Sequence, residues 1–530
     1  MQREGRPGCK VILNTQGNPP FLMKSVESMD GLPLRSFMQK KIIILIIVLA
    51  LLSGCTINNP FKASPNIILI LTDDMDMTLM PYMPKTNQLI GEQGATFENY
   101  FITTPICCPS RATTLRGQYA HNTDILQNSP GFARFFKLKE EENTLNVWLQ
   151  AAGYRTALFG KYLNNYPVNA GRDYVPPGWD DWGAFIANTD DGDFFYNYTM
   201  NENGTLVAYG DAPEDYSTSV IRNKSLTFIE DSVKADSPFF LFVSVYAPHG
   251  PATLAPDHPG LDEALTYPQK PSFLEADISD KPQIIQALTQ TGDEFDDGDA
   301  NQAFQKRVAS LQAVDDLVAD LVQTLEATGQ LENTYIIFTS DNGFHLGEHQ
   351  LPSGKGTPYE EDIRVPFLLR GPGITPGTTV TQMAANIDLA PTIAEMAGAN
   401  VPDFVDGRSL LPCLEESALQ WRNGLLIEFG YIDEEAVAQA LSDPETDNLL
   451  VGVEGGAFRG IRGEDYVYVE YVNGEVEFYD LTNDPYQLEN LSGTMSAETL
   501  AALHEKLTAL KFCSGSDCQK LEEDLNVQFR

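Results

Sequence analysis

Basic residues and histidines are scarce in this chain of 530 residues. Lysine and arginine together number 35 against 74 aspartates and glutamates, so the formal net charge is −39, and there are only 6 histidines. This charge excludes nucleic-acid binding through a broadly basic face. An anionic ligand gains nothing from the overall field, so an anion site must be built from local cations, a metal ion or helix N-termini.

Long apolar segments are also lacking near the N-terminus. The unbroken apolar run 42–52 is too short to span a bilayer as a helix. Two lysines precede it, and Ser53-Gly54-Cys55 follows it, which is the pattern of a signal peptide over residues 38–55. Residues 52–55 resemble a bacterial lipobox in which Cys55 carries the lipid. The alternative is a plain signal peptide with a chance cysteine.

From this pattern we expect an exported protein that is lipid-anchored to the bacterial cell envelope, on the periplasmic or outer-surface side. The anchor would be its only membrane contact. Residues 1–37 lack the features of a signal peptide, and we predict that they are a mis-called extension, with translation starting at Met38. Residues 56–64 would form a short polar tether.

Cysteine is sparse too, with 7 residues in the chain. In an exported protein, Cys513 and Cys518 would close a small loop as a disulfide. We expect Cys413 to stay free and buried.

Strand and helix patterns alternate along most of the chain. Strands are predicted at 66–71, 153–160, 239–246, 335–339 and 365–369, and helices at 84–93, 145–152, 301–328 and 388–397. Such alternation is typical of a mostly parallel α/β sheet with helices on both faces. The acidic, proline-containing stretch 251–298 is predicted to be loop.

The pattern changes near residue 424. A β-hairpin is predicted over 466–479 with an Asn473-Gly474 turn, followed by a helix over 497–510. We therefore predict a catalytic domain over 65–423 and a small antiparallel α+β subdomain over 424–530.

Hard oxygen ligands follow two of the predicted buried strands. Asp73 and Asp74 end the first, and Asp341 and Asn342 end the strand at 335–339. Open α/β sheets place their ligands at such strand ends, and these side chains suit Ca²⁺ or Mg²⁺. The plainer alternatives are a helix cap for the aspartate pair and a turn for Asp-Asn-Gly.

The segment Cys107-Cys108-Pro109-Ser110-Arg111 carries the most specific pattern. By its residues alone it could be a thiol activated by a nearby guanidinium, half of a metal site, or a structural cysteine pair. Vicinal cysteines are poor disulfide partners, because the bridge strains the peptide between them.

With Leu115 and Gly117 behind it, this segment resembles the C-x-P-S-R-x-x-x-L-x-G signature of type I sulfatases. The resemblance extends over most of 66–491, with its blocks in the same order, and is closest to the branch of N-acetylglucosamine-6-sulfatases and heparan 6-O-endosulfatases. The blocks begin at Leu71, Gly160, Ala247, Thr339, Tyr359, Asp388, Asp406 and Tyr479.

The resemblance implies an alkaline-phosphatase-like fold and hydrolysis of a sulfate ester of a carbohydrate. Cys107 would be oxidised to formylglycine by a formylglycine-generating or anaerobic sulfatase-maturing enzyme. The implied cation is Ca²⁺, with Mg²⁺ as the alternative. The implied metal ligands are Asp73, Asp74, Cys107, Asp341 and Asn342. The implied catalytic residues are Cys107, Arg111, Lys161, His249 and Lys355.

One position departs from the wider family pattern. Many sulfatases have Gly-Lys-Trp-His where this chain has Gly160-Lys161-Tyr162-Leu163. The proton acceptor usually assigned to that histidine must then come from elsewhere, and we expect His121 to replace it or Asn164 to help position the site.

Three other functions remain as alternatives. A phosphodiester or phosphonate monoester hydrolase of the same superfamily would share the strand-end ligands. A glycan-binding lipoprotein would keep Cys107 unmodified and lack catalysis. A cysteine hydrolase would need a His-Asn partner motif, which we do not recognise in the sequence.

Overall fold

The computed structural model describes residues 64–186, 193–289, 295–415, 420–430 and 456–529. The predictions for the extension 1–37, the signal peptide 38–55 with Cys55 and nearly all of the tether 56–64 lie outside the described residues. Ala63–Arg530 forms one compact unit. Among the described helices, none combines the length and apolar character needed to cross a membrane.

The strands of the described part fall into a large sheet, a two-stranded sheet and a second, smaller sheet. In chain order they are β1 (Asn66–Thr72), β2 (Ala95–Phe97), β3 (Tyr100–Phe101), β4 (Arg155–Gly160), β5 (Asp181–Phe185), β6 (Thr199–Glu202), β7 (Thr205–Ala208), β8 (Phe239–Ser244), β9 (Thr334–Ser340), β10 (Phe367–Arg370), β11 (Thr378–Val380), β12 (Ala384–Ala385), β13 (Gly424–Phe429), β14 (Phe458–Gly463), β15 (Tyr466–Tyr471) and β16 (Val476–Asp480).

The α-helices of the described part range from single turns to one helix of 31 residues. They are α1 (Pro84–Thr86), α2 (Cys107–Arg116), α3 (Ala120–Thr123), α4 (Gly131–Leu138), α5 (Leu145–Ala151), α6 (Ser217–Lys234), α7 (Gln283–Leu288), α8 (Asp297–Ala327), α9 (Glu360–Ile363), α10 (Leu389–Ala397), α11 (Leu411–Glu415), α12 (Ala497–Leu510) and α13 (Ser516–Glu523).

The large sheet has ten strands in the order β11-β2-β10-β9-β1-β8-β4-β5-β6-β7. Its centre, β9-β1-β8-β4-β5, is parallel throughout. The apolar run of β1 is fully buried, as a central parallel strand with helices on both faces requires. The predicted α/β class with a mostly parallel sheet is confirmed.

Alternate residues of β1 enter two different apolar layers. Ile67, Leu69 and Leu71 pack with residues of α5 and α10, whereas Ile68 and Ile70 pack with residues of α6 and α8. This is the two-residue period of a strand covered on both sides. The amphipathic face predicted for the long helix, which includes Leu311, Val314 and Leu321, is buried in the second layer.

Three details differ from the sequence prediction. β10 runs antiparallel to β9. The pattern of residues in a strand does not reveal its direction, so the sequence did not predict this. The stretch 251–298 is not all loop: it contains α7 and the first two residues of α8. That helix begins four residues early because Asp296 caps it, with Asp299 completing a capping box.

The second sheet begins at Gly424 and is antiparallel, in the order β13-β14-β15-β16. The predicted hairpin forms as β15 and β16, the predicted helix as α12, and the Cys513–Cys518 disulfide is present. Cys413 is free and buried. Residues of this sheet share one apolar cluster with Phe101, Tyr119 and Ile387, so the C-terminal sheet packs against residues that precede it in the same unit.

Candidate active site

The carboxyl ends of four adjacent parallel strands meet at one edge of the large sheet. In the register of the sheet Thr72 pairs with Ser340, Leu71 with Ser244, and Gly160 with Ser244. The residues that follow these strand ends include Lys161 after β4, His249 after β8, and the predicted acidic pairs after β1 and β9. Four separate stretches of sequence therefore converge there, at the edge where open α/β sheets bind ligands.

The two predicted strand-end pairs interlock. The Asp74 amide donates a hydrogen bond to Asp341 Oδ1 (3.1 Å), and Asn342 Nδ2 donates to Asp74 Oδ1 (2.6 Å). All four side chains, including Asp73, are fully buried. Gly343 is required after Asn342, because a Cβ there would lie 2.0 Å from the Glu361 carbonyl oxygen.

Cys107 stands at the first position of α2 and faces the acidic pair. Its Sγ lies 3.4 Å from Asp73 Oδ1 and 4.0 Å from Asp74 Oδ1. The amide of Cys108, the next residue, donates to Asn128 Oδ1 (2.9 Å), which satisfies one of the N–H groups exposed at the helix start. Both cysteines are buried and neither forms a disulfide, so the vicinal pair is not a structural disulfide.

Arg111 lies one helical turn after Cys107 and is almost fully buried. Its Nε donates to Asp341 Oδ2 (2.7 Å), and its Nη1 donates to Ser244 Oγ (2.7 Å) and the Lys161 carbonyl oxygen (3.0 Å). These bonds fix the guanidinium between three strand ends. Ser244 lies inside the strand predicted at 239–246 and was not among the predicted site residues.

Two lysines bring further positive charge. Lys161 Nζ lies 2.7 Å from Asp73 Oδ2, and Lys355 Nζ lies 2.7 and 2.8 Å from the two oxygens of Asp74. Lys355 also reaches Cys107 Sγ at 3.2 Å. Lys355 comes from the loop between β9 and α9, so only the tertiary fold brings it to the nucleophile position.

His249 is held in one orientation. Its Nδ1 lies 2.9 Å from the Gly250 carbonyl oxygen, which can only accept, so Nδ1 carries a proton. Its Nε2 lies 3.6 Å from Asp74 Oδ2. The ring packs on Tyr246 at 4.7 Å between centroids, and the ammonium of Lys161 lies 5.1 Å from the centre of the same tyrosine ring.

Burial and the surrounding charges shift the pKa values of the site strongly. Burial raises the pKa of Asp73, but Lys161, His249 and Arg111 outweigh it and hold that pKa below its usual range. Burial and the neighbouring Asp73 raise the pKa of Asp341 to about 6 against the opposing effect of Arg111.

The pKa of the Cys107 thiol is raised well above its ordinary value by burial and by Asp73. A thiol kept protonated is a poor nucleophile, because the thiolate is the reactive form. Burial and the adjacent carboxylate of Asp73 therefore disfavour the thiolate that a cysteine hydrolase would need.

The acidic cluster fits a hard metal ion. Ligand atoms of Asp73, Asp74, Cys107 and His249 all lie within 4.8 Å of one another. Within the described part of the chain, the buried Oδ1 of Asn342 accepts no hydrogen bond. A buried carbonyl-type oxygen without a donor beside carboxylates is the donor set that Ca²⁺ and Mg²⁺ prefer. Asp341, also predicted as a ligand, engages Asp74 and Arg111 through its two oxygens.

The structure contradicts the predicted catalytic role of His121. Its Nδ1 lies 3.0 Å from Glu428 Oε1 on β13, and its Nε2 lies 3.0 Å from the Cys513 carbonyl oxygen. The ring belongs to the junction with the C-terminal sheet, where both nitrogens already have partners, so His121 does not replace the family histidine. Leu163 and Asn164, by contrast, line a small cavity together with Lys161 and Tyr246.

The structure thus gathers Asp73, Asp74, Cys107, Arg111, Lys161, His249, Asp341, Asn342 and Lys355 into one buried constellation. A nucleophile position, a cluster able to hold a divalent cation and several fixed cations define a hydrolase of anionic esters. A family model described as Sulfatase matches residues 65–399. The chain belongs to the sulfatase family and is a sulfuric ester hydrolase.

Known proteins that match most of the chain agree with this family assignment. Human N-acetylglucosamine-6-sulfatase is 37% identical over 487 residues, covering 86% of each chain. A solved sulfatase-fold structure, described as a complex with its substrate D-glucosamine-2-N,6-O-disulfate, is 25% identical with a TM-score of 0.69, covering 88% of this chain and 99% of the other. The phosphonate monoester hydrolase of Silicibacter pomeroyi shares the fold, with a TM-score of 0.66 at 22% identity over 83% and 93% of the two chains. The central sheet and its flanking helices form the alkaline-phosphatase-like fold.

Proposed function

We propose that this sulfatase removes sulfate from a sulfated carbohydrate of the N-acetylglucosamine-6-sulfate type, using a formylglycine made from Cys107 and a divalent cation, Ca²⁺ or alternatively Mg²⁺. The observation that carries the proposal is the position of Cys107, with Sγ 3.4 Å from Asp73 Oδ1 and 3.2 Å from Lys355 Nζ. The printed names of the human relative and of the substrate complex support the choice of sugar.

Asp73, Asp74 and Asn342 would hold the cation, with Asp341 and His249 beside it. The cation would supply charge neutralisation at the sulfate and would acidify the nucleophilic hydroxyl. Formylglycine at position 107 would supply, as its hydrate, one hydroxyl for attack on sulfur and a second that allows sulfate to leave.

The fixed cations bind and orient the substrate. Arg111, Lys161 and Lys355 are already ordered by hydrogen bonds and ion pairs before substrate arrives, so they stabilise charge on the sulfate oxygens without reorganising. This arrangement answers the requirement set by the sequence. A chain of net charge −39 must attract its anionic substrate with a local cluster.

The leaving alcohol needs a proton. His249 and Lys355 are the two candidates: His249 is locked through its Nδ1–H, which leaves Nε2 facing Asp74. Lys355 instead contacts Cys107 and both oxygens of Asp74. This geometry favours His249 as the acid and Lys355 as the group that stabilises charge at the nucleophile.

Parallel assays test the substrate class. We expect the mature enzyme to release sulfate from N-acetylglucosamine 6-sulfate with a higher kcat/KM than from the 3-sulfate isomer, which serves as the matched control. A higher kcat/KM on an aryl phosphonate monoester or phosphate diester than on any sulfate ester would contradict the proposal and favour the phosphonate hydrolase alternative. A thiol at position 107 that stays unmodified even when the protein is co-expressed with a maturation enzyme, together with an absence of turnover, would favour a glycan-binding protein.

Maturation and location form part of the same proposal. A formylglycine-generating or anaerobic sulfatase-maturing enzyme would act on Cys107 before folding, because the folded thiol is fully buried. Export with a lipid on Cys55 would place the enzyme at the bacterial cell envelope. In a bacterial host, Cys55→Ala should move the protein from the membrane fraction to the soluble fraction, and retention in the membrane would contradict the anchor.

A further inference from the structure

A buried arginine from the long helix reaches the turn that carries Asp74. Arg307 lies within α8 and is 4% exposed. Its Nη2 donates to the carbonyl oxygen of Asp74 and to Asp76 Oδ2 (3.2 Å). The contact is to the backbone oxygen, so it leaves the Asp74 carboxylate to Lys355 and a cation.

The same guanidinium packs on the second ligand-bearing turn. Its Cζ lies 4.4 Å from the ring centre of Phe344, two residues after Asn342. A cation over an aromatic face is attracted to it, and more strongly where both are desolvated. Arg307 therefore contacts the turn after β1 and the turn after β9 at once.

The Asp74 turn has a conformation that needs such support. Asp74 has φ of 67°, a left-handed conformation uncommon outside glycine. Conformations of this kind cost about 1–3 kcal/mol and persist only where the surroundings impose them. Here the Asp74 amide is bound by Asp341, its carbonyl oxygen by Arg307, and the next amide, of Met75, by Ser340 Oγ (2.8 Å).

The helix that carries Arg307 is itself fixed to this region. Asp315, two turns further along α8, accepts hydrogen bonds from the amides of Lys85 (3.0 Å) and Thr86 (2.7 Å) at α1. Asp76 is shared between two roles: its Oδ1 caps the short helix Met77–Tyr82 through the Thr78 amide (2.7 Å), and its Oδ2 binds Arg307. Arg307 thus links the Asp74 turn to a helix that is itself held in place by hydrogen bonds.

We infer that Arg307 is a positioning residue for the metal-binding turns, which it holds at the spacing that Asp73, Asp74 and Asn342 need in order to bind one cation together. This inference rests on the proposed metal dependence. Outer partners of metal ligands typically change affinity by about 10- to 100-fold when removed.

Calcium titration of the full chain, stripped of metal by a chelator, tests this by calorimetry and by the rise of Tm with added Ca²⁺. Arg307→Met should raise the dissociation constant for Ca²⁺ by about 10- to 100-fold. Arg307→Lys, which keeps the charge but cannot bridge both turns, should fall between this variant and the parent. Lys306→Met, which removes a neighbouring charge on the same helix, is the matched control and should bind as the parent does.

Folding of each variant is checked by circular dichroism without metal. If Arg307→Met does not fold, Arg307→Lys and Asp76→Asn decide, since the asparagine can still cap Thr78 while it weakens the ion pair. Parental affinity in the folded variants overturns the inference. A parent protein that binds neither Ca²⁺ nor Mg²⁺ overturns the proposed metal dependence, and the inference with it. This outcome differs from failure of the inference alone, in which the parent binds the cation and the variants bind it equally well.

Discussion

The assignment of His249 as the acid that protonates the leaving alcohol leads to a prediction that depends on the leaving group. His249→Ala should slow hydrolysis of a sugar sulfate strongly, because an alkoxide cannot leave without a proton. The same variant should lose little on a nitrophenyl sulfate, whose phenolate leaves unaided. His249 suits this role because its imidazole is 4% exposed and is held in one orientation by the hydrogen bond from Nδ1–H to the Gly250 carbonyl oxygen.

The expected rate losses differ between variants of the two candidate acids, His249 and Lys355. Loss of a general acid costs about 10²- to 10⁴-fold in rate on the substrate that needs it. Lys355→Met removes a buried charge 3.2 Å from Cys107 Sγ and 2.7 Å from Asp74 Oδ1. Loss of such a charge-stabilising group costs about 10²- to 10³-fold, or about 2.7–4 kcal/mol, and it should do so on both substrates alike.

The assay is kcat/KM for each variant on a sugar 6-sulfate and on nitrophenyl sulfate, with aldehyde content at position 107 matched between preparations. The ratio of the two losses is the quantity of interest, because a general disturbance of the site lowers both rates together. Equal losses for His249→Ala on the two substrates would refute its role as the acid. A selective loss for Lys355→Met would transfer that role to the lysine.

Three further predictions follow from buried contacts. Cys107→Ser should become sulfated on the serine and fail to turn over, since a serine ester has no second hydroxyl to expel sulfate; intact mass and multiple-turnover assays check this, and sustained turnover would argue against the mechanism. His121→Ala should leave kcat/KM within about threefold, because its ring binds Glu428 and the Cys513 carbonyl. Burial lowers the pKa of His121, but Glu428 outweighs this effect and raises that pKa above its ordinary value. The stabilisation from this ion pair is therefore complete below about pH 6.5 and is lost as pH rises through the folded-state pKa. Denaturant titrations should show this fall of the unfolding free energy with pH in the parent and not in the variant, and the same fall in both would contradict the role of the ion pair. Arg422→Met should lower the free energy of unfolding by about 3–5 kcal/mol, since Arg422 binds Asp388 (2.6 Å) and Glu522 (3.0 Å) in the core. Lys520→Met, which removes an exposed positive charge, is the control, and equal denaturation midpoints for the two variants would contradict this expectation.

The parts of the site that could be predicted from the sequence are those set by short-range pattern. A fully apolar run ending in Asp73-Asp74 identifies a buried strand and its ligands together, and the segment from Cys107 to Arg111 carries its own signature. Ser244 and Arg307 were missed because their roles come from partners in distant parts of the chain. Nothing near Arg307 in the sequence marks it apart from other helix arginines.

The errors have the same origin. His121 was selected as one of few histidines near the nucleophile in sequence, yet the chain turns at Gly117 and carries it towards β13. β10 was expected as a further strand of the parallel series, and its antiparallel direction depends on how the intervening loop crosses the site. Strands β6 and β7 at the sheet edge are four residues each, and β7 is largely exposed, so their pattern is weak.

The central claim is that an aldehyde at position 107, and not a thiol, carries the reaction. Peptide mass spectrometry measures the aldehyde fraction at residue 107 in preparations made with and without a maturation enzyme, and sulfate release is measured on the same samples. Activity should rise in proportion to the aldehyde fraction and vanish when residue 107 is entirely cysteine. Full activity in a preparation whose residue 107 is entirely thiol would show that the aldehyde is not required.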